Sequence, residues 1–191
     1  MLKLKLVLLF ICSLLLIQAC APVIVAGAAT GVAVMHDRRS SGAVLDDQGM
    51  EYHIGNALYG SKEMYAVSHI NILSYNGVVL MTGEVPTEAF KQQAEDIVKQ
   101  TENIKGYHNE LVVAESSALS SRSNDTWITS KLKTNLTTDQ GIDPFFIKVV
   151  TERGVVYLLG IVSQAEAQTA VDIAVQVAGV QRVVKIFEYT D

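Results

Sequence analysis

Chemistry at a protein site needs converging nucleophiles, acids, bases or metal ligands. This chain offers His36, His53, His69 and His108, widely separated, and Cys12 and Cys20. No two histidines stand at the H-x-x-x-H spacing that brings two imidazoles to one metal, and no glycine-rich phosphate loop or G-x-S-x-G elbow occurs. His69 alternates with Ile70 and Ile72, which puts it on an open strand face or at a domain contact. The pattern reads as a non-enzyme, without cofactor or small-molecule substrate. A different chemistry is concentrated around Trp127, the single tryptophan. On a helix stepping about 100° per residue, Ile128, Leu132 and Leu136 form one apolar stripe, and Trp127 lies about 140° from its centre. Ser130, Lys131 and Thr134 fall beside the indole. A helix face carrying an indole, an ammonium and two hydroxyls suits the boundary between water and a bilayer, where tryptophan settles and a lysine gains about 1 kcal/mol near anionic lipid. Lys133 and Lys148 are further cations for such a patch. The competing reading has Trp127 covering a seam between domains or the edge of its own core.

The N-terminus carries a second chemistry. Met1 to Ala19 opens with Lys3 and Lys5, continues through an apolar run from Val7 to Ile17, and stops at Leu16-Ile17-Gln18-Ala19-Cys20. A basic start, an apolar stretch and a small residue before a cut are the marks of an export signal. The closing residues resemble the lipobox of bacterial lipoproteins, with Gln18 an unusual middle residue; the resemblance implies that Cys20 is acylated. Cys12 leaves with the signal, and acylation removes the hazard of one free thiol in an oxidising compartment. The alternative is an uncleaved membrane helix, because no charge occurs between residue 6 and His36. Pro22, Gly27 and Gly31 make the later part of that run a poor spanner. The net charge is −5, and loss of Lys3 and Lys5 makes it more negative by two. Nucleic acid is therefore excluded as a bulk partner, since phosphate binding needs a basic face.

The elements that must position Trp127 come twice. Tyr75-Asn76-Gly77-Val78-Val79-Leu80-Met81-Thr82-Gly83-Glu84-Val85 matches Glu152-Arg153-Gly154-Val155-Val156-Tyr157-Leu158-Leu159-Gly160-Ile161-Val162. With small gaps, Ile54 and Leu58 pair with Ile128 and Leu132 upstream. Downstream, Ala94, Asp96 and Ile104 pair with Ala170, Asp172 and Val180. In this register Trp127 corresponds to His53 and Lys131 to Ala57, so the first copy lacks the patch. Each copy reads as an α+β unit of order α-β-β-α-β. Its helices are expected near 51–60 and 86–102, then 125–137 and 163–178, with closing strands at 107–114 and 182–189. Asn76-Gly77 is a strong hairpin turn, because both central positions of a type I′ turn need positive φ; Arg153-Gly154 is weaker and leaves the second turn type open. Asp125 or Ser123 is the expected N-cap of the Trp127 helix. Five serines between Ser116 and Asn124 mark a linker. The expected division is a signal at 1–19, a lipidated tether at 20–46, a first domain at 47–115, the linker at 116–124 and a second domain at 125–191.

These units resemble the BON domain, in which a G-x-V-x-L-x-G strand follows the hairpin and a G-V-x-x-V strand closes a small three-stranded sheet packed by two helices. Gly154 to Gly160 fits the first pattern, Gly77 to Gly83 fits it with Met81 in place of leucine, and Gly179-Val180-Gln181-Arg182-Val183 fits the second. Two such units behind a lipobox resemble the dual-BON outer-membrane lipoproteins of Gram-negative bacteria, as does the run from Ser123 to Thr129. The resemblance implies a protein anchored to the periplasmic face of the outer membrane. It also implies binding of anionic phospholipid, through Trp127, Ser130, Lys131, Lys133 and Thr134, and a role in envelope integrity; Ala21 after the lipid site fits outer-membrane sorting. The alternative function is a periplasmic adaptor, in which Trp127 contacts outer-membrane assembly proteins.

Overall fold

The computed structural model describes residues 37–191. The export signal, Cys20, His36 and most of the tether lie outside the described residues. Among the described residues no helix is long and apolar enough to cross a membrane.

The first domain runs α1 (Ser41–Gly60), α2 (Lys62–Val67), β1 (His69–Tyr75), β2 (Val78–Val85), α3 (Glu88–Lys99) and β3 (Gly106–Val113). The second runs α4 (Leu119–Thr138), a 3₁₀ turn (Pro144–Phe146), β4 (Lys148–Glu152), β5 (Val155–Val162), α5 (Gln164–Val175) and β6 (Arg182–Tyr189). Each sheet has the hairpin's second strand at its centre, antiparallel to the first strand and parallel to the last, which returns through the intervening helix. The expected α+β architecture is therefore present twice.

Both hairpin turns have the same backbone. Asn76 and Gly77 stand at φ 51° and 81°, Arg153 and Gly154 at 52° and 73°. Arg153 pays the left-handed strain because a buried aspartate holds the turn: Asp125 accepts from the Arg153 and Gly154 N–H groups at 2.9 and 2.8 Å. Asp47 does the same for Asn76 and Gly77 at 2.7 and 2.8 Å, and also accepts from the Ser74 hydroxyl and from Arg39.

These aspartates correct three expectations. Asp125 is not the helix N-cap; α4 starts at Leu119, so most of the expected serine linker is helical. The first helix begins at Ser41 rather than near 51, capped by the Ser40 side chain accepting from the Ala43 N–H, so residues 41–46 are helix rather than tether. Its buried stripe is Asp47, Met50, Ile54 and Leu58, against Asp125, Ile128, Leu132 and Leu136 in α4. The first helices thus superimpose with Ile54 on Leu132, one turn away from the gapped pairing of Ile54 with Ile128. Gly49, not His53, is the counterpart of Trp127, and His53 rather than Ala57 is the counterpart of Lys131.

The central strands are apolar on both faces. Val79, Met81 and Val85 face the helices of the first domain, and Val156, Leu158 and Val162 face those of the second. The opposite faces meet each other: Tyr75, Leu80, Tyr157 and Leu159 form a third core, with Leu73, Val150, Val184 and Ile186 packed around it. The sheets are covered on both sides, helices outside and each other inside, which is why β2 reads as apolar from Val78 to Met81 and β5 along its whole length. Residues Arg38–Asp191 accordingly form one compact unit.

Candidate functional site

The α4 stripe Ile128, Leu132 and Leu136 is fully buried, which turns the opposite face outward. Trp127 is 50 % exposed there, and Ser130, Lys131 and Thr134 are exposed beside it. The hydroxyl protons of this face are already used. Thr126 donates to the Arg122 carbonyl, Ser130 to that of Thr126 and Thr134 to that of Ser130, at 2.8–2.9 Å. A face whose donors bond to its own helix loses little on leaving water, so the indole is surrounded by groups that tolerate a headgroup layer.

Lys133 does not belong to that face. It sits about 120° round the helix from Trp127, on the flank toward β4. Burial, with the charge of Lys148 second, pushes its ammonium below the usual lysine range. The structure thus brings together Trp127, Ser130, Lys131 and Thr134, and sets Lys133 apart with Lys148.

A second cluster, which the sequence did not reveal, lies at one end of the contact between the sheets. Glu84 on β2 is fully buried, and Glu152 on β4 is 7 % exposed. Asn71 donates to Glu152 at 2.8 Å, and the His69 imidazole lies 3.8 Å from the same carboxylate. Arg153 reaches back to Glu84 at 3.5 Å, and the Ser117 N–H donates to it at 3.2 Å. Burial, then the nearby Glu84, pushes the Glu152 carboxyl up to about 7. Burial, then Arg122, holds the His69 imidazole below its ordinary value. His69 is therefore a domain contact, one of the two placements its alternation allowed. Further links join the domains: Asn76 to Glu188 at 2.6 Å, Tyr157 to Glu110 at 3.4 Å and Arg182 to Glu110 at 3.5 Å. The only signal for this cluster in the sequence is a carboxylate inside a largely apolar strand, as Glu84 is in β2.

Nearer the N-terminus, Arg38 forks onto Glu166 at 2.7 and 2.8 Å, stacks on the Phe146 ring at 3.8 Å and donates to the Ile161 carbonyl. Arg39 pairs with Asp47 and lies over the Tyr75 ring. The two arginines that the sequence assigns to a free tether are thus docked on opposite domains.

A family model described as "BON domain" matches residues 54–115 and 124–191. Over 175 residues, 92% of this chain and 91% of the relative, the sequence is 34% identical to the outer membrane lipoprotein DolP of Haemophilus influenzae. It is 32% identical to a 21 kDa hemolysin of Actinobacillus pleuropneumoniae, across 80% of this chain and 79% of that one. With the osmotically-inducible protein Y of Escherichia coli it shares 30% identity, across 74% of this chain and 72% of that protein.

Proposed function

The chain belongs to the BON-domain family, and on that premise we propose that it is an outer-membrane lipoprotein whose second domain reads anionic phospholipid. The observation that carries the reading is the outward face of α4, where a half-exposed Trp127 stands beside Lys131 among hydroxyls that donate to their own helix. The likeness to an outer membrane lipoprotein of Haemophilus influenzae supports the compartment. In this reading Cys20 carries the lipid anchor and the protein faces the periplasm, where it contributes to envelope integrity without a catalytic step.

Acyl chains on Cys20 give firm attachment at about 0.8 kcal/mol per buried methylene, so the α4 patch is not needed to hold the protein on a membrane. Its work is selective. A tethered patch meets lipid at high effective concentration, and a weak preference for anionic headgroups then sets where the domain rests and how it is oriented. With a net charge of −5, and two more negative once Lys3 and Lys5 leave with the signal, the molecule as a whole is repelled by such a surface, which leaves the recognition to local groups.

The test is co-sedimentation of the compact unit Arg38–Asp191 with anionic and zwitterionic vesicles, beside Trp127→Ala and Lys131→Glu. Binding confined to anionic vesicles and lost in both variants supports the reading. Absence of binding by a folded parent overturns it and assigns Trp127 to a protein contact.

A further inference from the structure

The edge strand of the first sheet, β1, runs beside an aromatic groove. The two-residue turn Asn76-Gly77 makes Tyr75 and Val78 a hydrogen-bonded pair, and bonded pairs alternate along an antiparallel ladder. Leu73, Asn71 and His69 therefore turn their main-chain groups toward β2, and Ser74, Ile72 and Ile70 turn theirs outward. The Ser74 N–H confirms this parity, since it donates outward to Glu51 at 2.8 Å. Glu51 closes that end of the edge. The outward groups of Ile70 and Ile72 have no hydrogen-bond partner among the described residues.

These two positions lie in a groove of about 710 Å³ between β1 and the flank of α1. Tyr52, Tyr59 and Tyr65 line it and are 69, 57 and 61% exposed, with Tyr59 and Tyr65 edge to face at 4.8 Å. Gly55 keeps the helix wall low: a Cβ there would meet only the Tyr59 ring, at 3.8 Å. At the far end stand Ser68, whose buried hydroxyl has no hydrogen-bond partner among the described residues, and Arg122. The Arg122 guanidinium donates to the Ser117 hydroxyl and has no carboxylate within 4.0 Å among the described residues. In α4 the counterparts of Tyr52, Gly55 and Tyr59 are Ser130, Lys133 and Thr137. A lysine thus replaces the glycine, and no aromatic wall remains.

We infer that this groove takes an extended peptide of a partner protein, added to β1 as a fourth strand, with apolar side chains against the tyrosines and a carboxylate on Arg122. The two open main-chain positions are two residues apart, about 6.8 Å, the repeat that another extended backbone matches. Main-chain bonds give such strand addition its register, and the side-chain pockets select the sequence. The Arg122 guanidinium fixes the sign of the charge at one end. Edge strands left exposed are an aggregation liability, so an open edge walled by tyrosines is a surface awaiting a partner strand.

Two measurements on the full chain in detergent test this. In amide hydrogen exchange, Ile70 and Ile72 should exchange at least tenfold faster than Asn71 and Leu73; equal protection at all four would show the edge already covered and overturn the inference. Selection from a displayed library of random dodecapeptides, with counter-selection on Gly55→Leu, should return peptides alternating in apolar residues and bearing an acidic residue. Gly55→Leu fills the groove on an exposed helix flank, and its melting temperature, matching the parent's, keeps loss of binding separate from loss of fold. The selected peptides should bind Gly55→Leu and Arg122→Glu at least tenfold more weakly than the parent, protect Ile70 and Ile72, and lose binding when N-methylated at alternate backbone nitrogens. N-methylated peptides that bind as well as their parents, or a selection yielding nothing that separates the parent from Gly55→Leu, would sink it. So would protection of Ile70 and Ile72 by chito-tetraose in place of peptide, which would make the groove a sugar site.

Discussion

The helices α1 and α4 occupy the same place in two copies of one fold, and the difference between them separates what the fold needs from what it leaves available. Both bury an aspartate and three apolar residues at matching positions, and both aspartates hold a hairpin turn. Away from that stripe they share almost nothing. Where α4 has Trp127, α1 has Gly49; where α4 has Lys133, α1 has Gly55. On the two proposals, a tryptophan face for lipid and a tyrosine groove for a strand are two uses of the same helix. A residue common to both copies answers to folding, and one confined to a single copy is a candidate for function.

The comparison breaks first at the glycines of the central strands. A Cβ on Gly83 would lie 1.9 Å from the His69 carbonyl oxygen, at a φ of +117° that favours glycine. At Gly160 the clash is with the Phe146 carbonyl oxygen at 2.4 Å, without positive φ. Gly83→Val should cost more than about 4 kcal/mol and unfold the first domain. Gly160→Ala should cost about 2 kcal/mol, because the 3₁₀ turn that carries Phe146 can give way more readily than β1. Thermal unfolding followed by circular dichroism ranks the two, and equal costs would refute that difference in compliance.

The turn aspartates come next. Asp47→Ala orphans two N–H groups of a buried turn and also takes a carboxylate from the Ser74 hydroxyl and from Arg39, whereas Asp125→Ala orphans two N–H groups alone. With each buried donor left unpaired costing about 1–3 kcal/mol, both variants lose stability and Asp47→Ala should lose about 1–2 kcal/mol more. Urea denaturation measures the difference, and the reverse order would show that Arg153, strained without its aspartate, dominates.

The same residues show what the sequence made legible. The Asn76-Gly77 turn, the strands and the helices before β3 and β6 follow from turn chemistry and period, and the burial of Ile128, Leu132 and Leu136 follows from helical spacing. The start of α1 did not, because its first buried residue is Asp47, which periodicity counts as polar until its four partners, 8 to 30 residues away, are known. That omission also shifted the repeat by a turn and paired Trp127 with His53. The contact between the sheets was signalled by strands apolar on both faces, yet nothing local says that the second face of β2 meets β5. Asn71 and Glu152 are 81 residues apart and recognise each other only in the folded molecule. The exposed indole could be read; the open edge at Ile70 and Ile72 needed the register.

Glu152 tests the contact between domains. Its carboxyl is raised from an ordinary 4.5 to about 7, so the folded protein holds this proton longer than the unfolded chain does. The stability it confers is complete below pH 4.5, falls as pH rises toward 7 and is level above that. His69, lowered from 6.5, acts in the opposite sense and costs stability as pH falls below that value. Glu152→Gln keeps an acceptor for Asn71 and removes the titration. The variant should therefore match the parent near pH 4.5 and exceed it by on the order of 2 kcal/mol at pH 8, leaving only the His69 trend. Urea unfolding at several pH values reads this, and parallel curves would mean that the unfolded chain holds the proton equally well.

The smallest expected effect bears most directly on function. Trp127→Ala removes an exposed side chain from a helix whose core stripe is untouched, so unfolding should shift by no more than about 0.5 kcal/mol while vesicle binding weakens about tenfold, near 1.4 kcal/mol. The reciprocal substitutions are more demanding. Gly49→Trp with His53→Lys places the indole and the ammonium on α1 at the positions that Trp127 and Lys131 hold on α4. Nothing lies within 4 Å of a Cβ at Gly49, and an interior helical glycine is itself unfavourable by about 1 kcal/mol, so the transplanted helix should fold at least as well as the parent. If an indole and a lysine on the outward face are sufficient, this transplant in a Trp127→Ala background restores binding to anionic vesicles. If it folds and fails to bind, recognition needs more than one face of α4, and Thr126, Ser130 and Thr134, replaced by Gln48, Tyr52 and Asn56 at the matching positions of α1, are the difference to move next.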